Sequence, residues 1–128
     1  MFQIVIADIG HRLRLSFKPE TLIGRQDAAS DTFPDVDLTP YGAVEKGVSR
    51  RHARLLFDGS ELRLEDIGSV NGTFLNGHRL VPYQSMPLEN GDVVQLGMLV
   101  FQVFFELPGL LQGPTLDNDQ LPDVDESQ

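Results

Sequence analysis

Apolar and polar residues alternate along this chain over short stretches, with a period of two. Arg12-Leu-Arg-Leu-Ser-Phe17 sets Leu13, Leu15 and Phe17 against Arg12, Arg14 and Ser16, the pattern of a strand with one solvated face. Arg54-Leu-Leu-Phe57 and Glu61-Leu-Arg-Leu-Glu65 carry the same alternation, and Phe2–Ala7, Glu20–Arg25, Val36–Leu38, Asp92–Leu96 and Phe101–Glu106 are further strand segments. No segment repeats apolar residues at spacings of three and four over several turns, so no substantial helix is predicted. Asp8-Ile9-Gly10 reads as a turn. The dipeptides Asn71-Gly72, Asn76-Gly77 and Asn90-Gly91 carry the strongest short hairpin signal, because both residue types tolerate positive φ. Residues 26–48, with Asp27, Ser30, Asp31, Pro34, Pro40, Gly42 and Gly47, form a long polar loop. Many short strands separated by Gly and Pro turns predict an all-β sandwich or barrel.

Length and charge narrow this picture. At 128 residues the chain is long enough for one sizeable core and too short for two. The net charge of −9 argues against general binding to nucleic acid or to an anionic membrane, so any anion site must be local. Much of the acidity lies in residues 108–128, where Asp117, Asp119, Asp123, Asp125 and Glu126 meet no Lys or Arg. That stretch of Gly, Pro, Asn, Gln and acids is expected to be a mobile tail, because it lacks the apolar surface to offset ordering. There is no Cys, which removes thiolate chemistry, disulfides and Cys-type metal sites. The N-terminus lacks a basic region followed by a long apolar run, and Leu96–Leu111 is interrupted and too short to span a bilayer. A soluble, cytoplasmic protein is expected.

Candidate chemistry gathers in two clusters, Ser49-Arg50-Arg51-His52-Ala53 and Gly68-Ser69-Val70-Asn71-Gly72-Thr73-Phe74-Leu75-Asn76-Gly77. Both lie at strand ends, where hydroxyl, amide and backbone N–H groups can converge and Arg adds charge. An oxyanion needs that chemistry, and a guanidinium can grip phosphate with two parallel charged hydrogen bonds. Ser49 can merely cap a turn, and Asn71-Gly72 needs no ligand to explain it. Ser49, His52 and Asp66 hold the residue types of a nucleophilic triad, but the serine lacks a Gly-x-Ser-x-Gly elbow. His11, His52 and His78 show no zinc-ligand spacing. Neither a cofactor nor a metal is expected. In the run from Arg50 to Arg54, strand alternation should divide the basic groups between two faces rather than pool them.

With Gly24-Arg25, Ser49-Arg50-Arg51-His52, Asp66–Gly77 and Leu88–Gly97 in sequence order, residues 2–106 resemble a forkhead-associated (FHA) domain. Any one piece is a weak motif, and the ordered set is specific. The resemblance implies an eleven-stranded, antiparallel-type β-sandwich over residues 1–107, whose loops at one end bind phosphothreonine peptides, with no catalysis. By motif position it implies that Arg25 pairs with phosphate, Ser49 donates its hydroxyl, and Arg50 makes a further phosphate or peptide contact. Asn71 would hold the peptide backbone, with Gly24, His52 and Gly72 supporting the loops. One departure matters: Val70 stands where the family often has Thr. The missing hydroxyl removes a charge-assisted hydrogen bond of about 1.5–3 kcal/mol, unless Ser69, a backbone N–H or Arg50 compensates. In its place, Val70 would supply part of an apolar wall for the threonine methyl. Val70 also keeps an alternative open, a phosphate-independent interaction scaffold on the same fold. Tyr41 and Lys46, in a segment just before Ser49, are expected at the rim of the site. Phosphorylation of Thr115 in the tail would allow one chain to dock into another, against the simpler reading of a solubilising spacer.

Overall fold

The computed structural model describes residues 1–107; the expected tail at 108–128 and its Thr115 lie outside the described residues. Eleven strands follow one another: β1 (Phe2–Ile6), β2 (His11–Leu15), β3 (Glu20–Gly24), β4 (Val36–Asp37), β5 (Arg51–Phe57), β6 (Leu62–Asp66), β7 (Thr73–Leu75), β8 (His78–Arg79), β9 (Met86–Pro87), β10 (Val93–Leu96) and β11 (Leu99–Phe105). They form a six-stranded sheet in the order β2-β1-β11-β10-β7-β8 and a five-stranded sheet in the order β4-β3-β5-β6-β9. Of the sandwich or barrel that the alternation predicted, this is the sandwich, with the eleven strands that the resemblance implied.

The core lies between the two sheets. Phe2, Ile4 and Ile6 from β1 and Leu99, Phe101 and Val103 from β11 face Ile23, Ala53, Leu55, Leu62 and Leu64 of the other sheet, all of them buried. Intervening residues such as Gln3, Arg14 and Gln102 point outward, so the period-two code converts directly into one dry and one wet face. Burying a Val, Leu, Ile or Phe side chain is worth about 1.5–3 kcal/mol, which makes this layer the main stabilising term. Among the described residues no helix is long and apolar enough to cross a membrane.

Several details differ from the sequence reading. The β3–β4 pair is parallel, whereas every other strand pair among the described residues is antiparallel. A polar loop long enough to turn the chain right round allows it. That loop also holds two 3₁₀ turns, Ala28–Ser30 and Thr39–Tyr41, the first capped by the Asp27 carboxylate accepting from Ala29 N–H. Strand β5 begins at Arg51 rather than Arg54, so His52 and Ala53 lie inside a strand. Only Asn76-Gly77 has positive φ at both residues (51° and 85°), the geometry of a type I′ hairpin turn, and it joins β7 to β8. At Asn71-Gly72 and Asn90-Gly91 the glycine alone is left-handed.

Candidate functional site

The site is assembled where β3 ends, β5 begins and the β6–β7 connection turns back. Ile23 pairs with Ala53 but Gly24 pairs with Arg51, so His52 is an extra residue on β5 and the register shifts there. Such a bulge interrupts strict alternation and re-aims side chains. As a result Arg50 and Arg51 both reach the same open recess as Arg25, and the expected division of the basic groups holds only for Arg54. Arg54 instead pairs with Glu65 at 2.7 Å and Glu20 at 2.9 Å.

Gly24 is required by close approach. A Cβ built on it would lie 1.9 Å from the Arg50 carbonyl oxygen, so any side chain would force the strand end away from the loop carrying Ser49. The same approach lets the Arg25 N–H donate to the Arg50 carbonyl at 3.2 Å. The Arg25 side chain is half-buried, and its Nε donates to the Val48 carbonyl at 2.9 Å. This anchors the guanidinium while leaving its two terminal nitrogens for a ligand.

His52 joins the two loops. Fully buried, its Nδ1 accepts from the Ser49 N–H at 2.9 Å and its Nε2 lies 2.9 Å from the Gly72 carbonyl. A carbonyl only accepts, so Nε2 carries the proton and the ring is the neutral Nε2–H tautomer. Burial lowers its pKa below 6.5, against the opposing pull of the Gly72 carbonyl and the Asp66 charge. Gly72, at φ 91°, turns that carbonyl inward in the left-handed region that favours glycine.

Asp66 organises the second loop. Its carboxylate accepts from the Ser69 hydroxyl (2.5 Å), the Thr73 hydroxyl (2.6 Å) and the N–H groups of Gly68 (3.1 Å) and Ser69 (3.2 Å). Burial alone would raise its pKa, but these four hydrogen bonds favour the ionised form more strongly and the net shift is downward. No catalytic triad is assembled: His52 receives the Ser49 backbone N–H, not its hydroxyl, and the Asp66 hydrogen bonds run to its own loop. The sequence holds Asp66 within a motif without revealing this role, because its partners become visible only when the loop closes.

The Ser49 hydroxyl accepts the Val70 N–H at 3.1 Å, which leaves the hydroxyl proton free to donate outward. Arg25, Ser49, Arg50, Arg51, Ser30, Thr32, Gly68 and Val70 line the resulting recess, with a volume of about 410 Å³. Arg50 is not idle there: its guanidinium pairs with Asp27 at 3.0 Å. Sequence reasoning missed Ser30 and Thr32 in the wall of the recess and Asp27 as the partner of Arg50, and it gave Arg51, inside a candidate cluster, no role of its own. Their nearest sequence signal is the Asp27-x-x-Ser30 cap of the first 3₁₀ turn, where the Ser30 hydroxyl donates to the Asp27 carboxylate.

Asn71 stands beside this recess rather than in its wall. Its side-chain amide donates to the Gly47 carbonyl at 2.9 Å and lines an adjoining hollow with Glu45, Lys46, Phe74, Gln95 and Met98. Lys46 is at that rim, paired with Asp8 at 2.9 Å. Tyr41 is not: it packs on the core and its ring stacks on His11 with centroids 5.2 Å apart, since the 3₁₀ turn directs it inward. Val70 is 81% exposed, so it lines the mouth and offers an N–H to Ser49 rather than forming a closed apolar wall.

The chain belongs to the FHA domain family, whose sequence model matches residues 21–97. The glycogen accumulation regulator GarA of Mycolicibacterium smegmatis is 40% identical over 101 residues, covering 79% of this chain and 51% of that protein. An oxoglutarate dehydrogenase inhibitor of Corynebacterium jeikeium is 36% identical over 76 residues, 59% of this chain and 49% of its own. The chain thus spans about half the length of these two relatives. A structure from an analysis of phosphothreonine-dependent FHA domain interactions superposes with a TM-score of 0.63 at 30% identity, covering 82% of this chain and 96% of that one.

Proposed function

We propose that this chain is a recognition module for phosphothreonine-containing peptides, and that it mediates phosphorylation-dependent association between proteins. The observation that carries the reading is the recess itself. An anchored guanidinium with two free terminal nitrogens (Arg25) faces a hydroxyl whose proton is uncommitted (Ser49), with Arg50 at the same opening. A phosphothreonine carries about −1.5 to −2 charge at pH 7 and three acceptor oxygens, which matches this cationic, donor-rich set. Arg25 and Ser49 hold the phosphate. Arg50 exchanges Asp27 for the phosphate or the peptide, and Asn71, on the rim, holds the peptide main chain. Gly24, His52 and Gly72 keep the loops in place. The similarity to an FHA domain studied for phosphothreonine-dependent interactions supports the same reading. We take residues 1–107 as the binding domain, acting in the cytoplasm with no catalytic step of its own.

The test is a panel of phosphothreonine peptides with unphosphorylated controls, measured on the native chain and on Arg25→Ala. Removing one partner of a desolvated charge pair costs about 2–5 kcal/mol, while a micromolar complex is worth only about −8 kcal/mol in all. Arg25→Ala should therefore nearly abolish binding. Equal binding of phosphorylated and unphosphorylated peptides would refute the reading in favour of a phosphate-independent scaffold.

A further inference from the structure

The recess does not end at the groups assigned to the phosphate. Arg51 lies in its wall and also in the wall of a second hollow, formed with Glu20, Arg54, Ile67 and Tyr83. It is the residue common to both. Asn71 and Lys46 line a different hollow, so Arg51 marks a separate extension of the site.

The charges around it are unevenly satisfied. Arg50 has Asp27 at 3.0 Å, and Arg54 has Glu65 and Glu20 at 2.7 and 2.9 Å. Among the described residues Arg51 makes no ion pair, and it is exposed at the first position of β5. The bulge fixes its base: Arg51 is the residue paired with Gly24, the position immediately before Arg25. A cation without a carboxylate partner, held on a strand beside the phosphate ligands, is available for a second negative group.

We propose that Arg51 reads a second anionic side chain flanking the phosphothreonine, on the side of the site away from Asn71. The inference rests on the phosphothreonine reading and adds a preference to it. The ligand class is a peptide with two negative groups close in sequence, the second being a carboxylate or another phosphorylated residue. Both offer oxygens that accept paired hydrogen bonds from a guanidinium, and they differ in charge. Glu20 at the far wall, already engaged by Arg54, bounds the hollow so that the second anion rests against Arg51 rather than travelling further along the sheet.

The experiment is a thermodynamic cycle on the full chain. The peptides carry phosphothreonine with alanine neighbours, or with one Glu or one phosphoserine placed in turn at each of the three positions before and after it. Each is titrated against the native protein, Arg51→Gln and Arg51→Lys. A Glu on one side should tighten binding about threefold to fivefold, the upper part of the range of an exposed ion pair, and phosphoserine should tighten it more. Arg51→Gln should erase that gain and Arg51→Lys should restore part of it. Higher salt should shrink it, because exposed charges are screened. If no flanking anion improves affinity, or if the gain survives in Arg51→Gln, Arg51 does not read a second anion. If the alanine-flanked phosphothreonine peptide binds no better than its unphosphorylated form, the underlying reading fails, and this inference with it.

Discussion

The Gly24→Ala variant tests how the strand end sets the site. The added Cβ would start 1.9 Å from the Arg50 carbonyl oxygen, 2.7 Å from its carbon and 2.9 Å from the Ser49 carbonyl oxygen. Contacts below 3.0 Å are not tolerated, and all three opposing atoms belong to the backbone, so no side-chain rotation gives relief. The loop and the end of β3 must part by about 1 Å, a movement that breaks the 3.2 Å hydrogen bond from Arg25 N–H to Arg50. Overpacking of this kind costs about 1–3 kcal/mol, and the lost hydrogen bond adds about 0.5–1.5 kcal/mol. In a domain worth about 5–15 kcal/mol, the variant should remain folded at 25 °C with a clearly lowered urea midpoint. Binding should suffer separately, because Arg25 and Ser49 no longer converge. Losing one charge-assisted hydrogen bond, about 1.5–3 kcal/mol, weakens a phosphothreonine peptide tenfold or more. Urea denaturation and fluorescence anisotropy on the same preparation separate the two effects. A variant with the native midpoint and affinity within twofold of native would show that the close approach does not position Arg25.

Val70→Thr restores a hydroxyl at an 81% exposed position; phosphothreonine affinity should rise about tenfold to a hundredfold, with stability unchanged within about 0.5 kcal/mol. An unchanged titration would mean that Arg50 or a backbone N–H already compensates, since the Ser69 hydroxyl is committed to Asp66. His52→Ala leaves the Ser49 N–H and the Gly72 carbonyl without their buried partner, at about 1–3 kcal/mol for each orphaned group, and thermal melting should show a large loss. His52 also sets a pH dependence. Its folded pKa lies below 6.5, so the unfolded chain binds the extra proton first; its contribution is whole above pH 6.5 and is lost as pH falls through the folded value. The lowered Asp66 pKa acts further down, its contribution being present above 3.8 and lost in stronger acid. Denaturant midpoints measured from pH 8 to pH 3 should therefore fall in two stages, and Asp66→Asn should shrink the lower one, to which the lowered pKa values of Asp27, Asp35, Asp37 and Asp58 also contribute. Peptide affinity should weaken separately as pH drops through the second phosphate pKa near 6.

The strands were legible because their alternation survives folding: Leu13 and Leu15 lie against the core while Arg12 and Arg14 face solvent. Asn76-Gly77 was legible because a two-residue hairpin is a local event. What stayed hidden depends on groups distant in sequence. Nothing near Gly24 announces that the Arg50 carbonyl will press upon it, nor that Asp27 will hold Arg50. The bulge at His52 is the clearest instance. Read as an unbroken strand, Arg50–Arg54 divides its charges between faces, whereas a single extra residue opposite Gly24 gathers Arg50 and Arg51 beside Arg25. Tyr41 went the other way, because a 3₁₀ turn over Thr39–Tyr41 sends its ring to His11 and the core.

The pairing of Phe2 with Phe105 sets the first strand beside the last. Adjacent antiparallel strands lie only about 5 Å apart, so both ends of the folded body emerge side by side. The opposite end of these strands meets the loops of the site, where the Met98 N–H donates to the Lys46 carbonyl and Lys46 pairs with Asp8. Cargo, surface or partner module fused at either end would hang from the base of the sandwich, with the binding loops presented outward. A short bridge across that base would permit new ends to be opened elsewhere, for instance at the exposed Asp58–Ser60 turn, without disturbing what the loops hold.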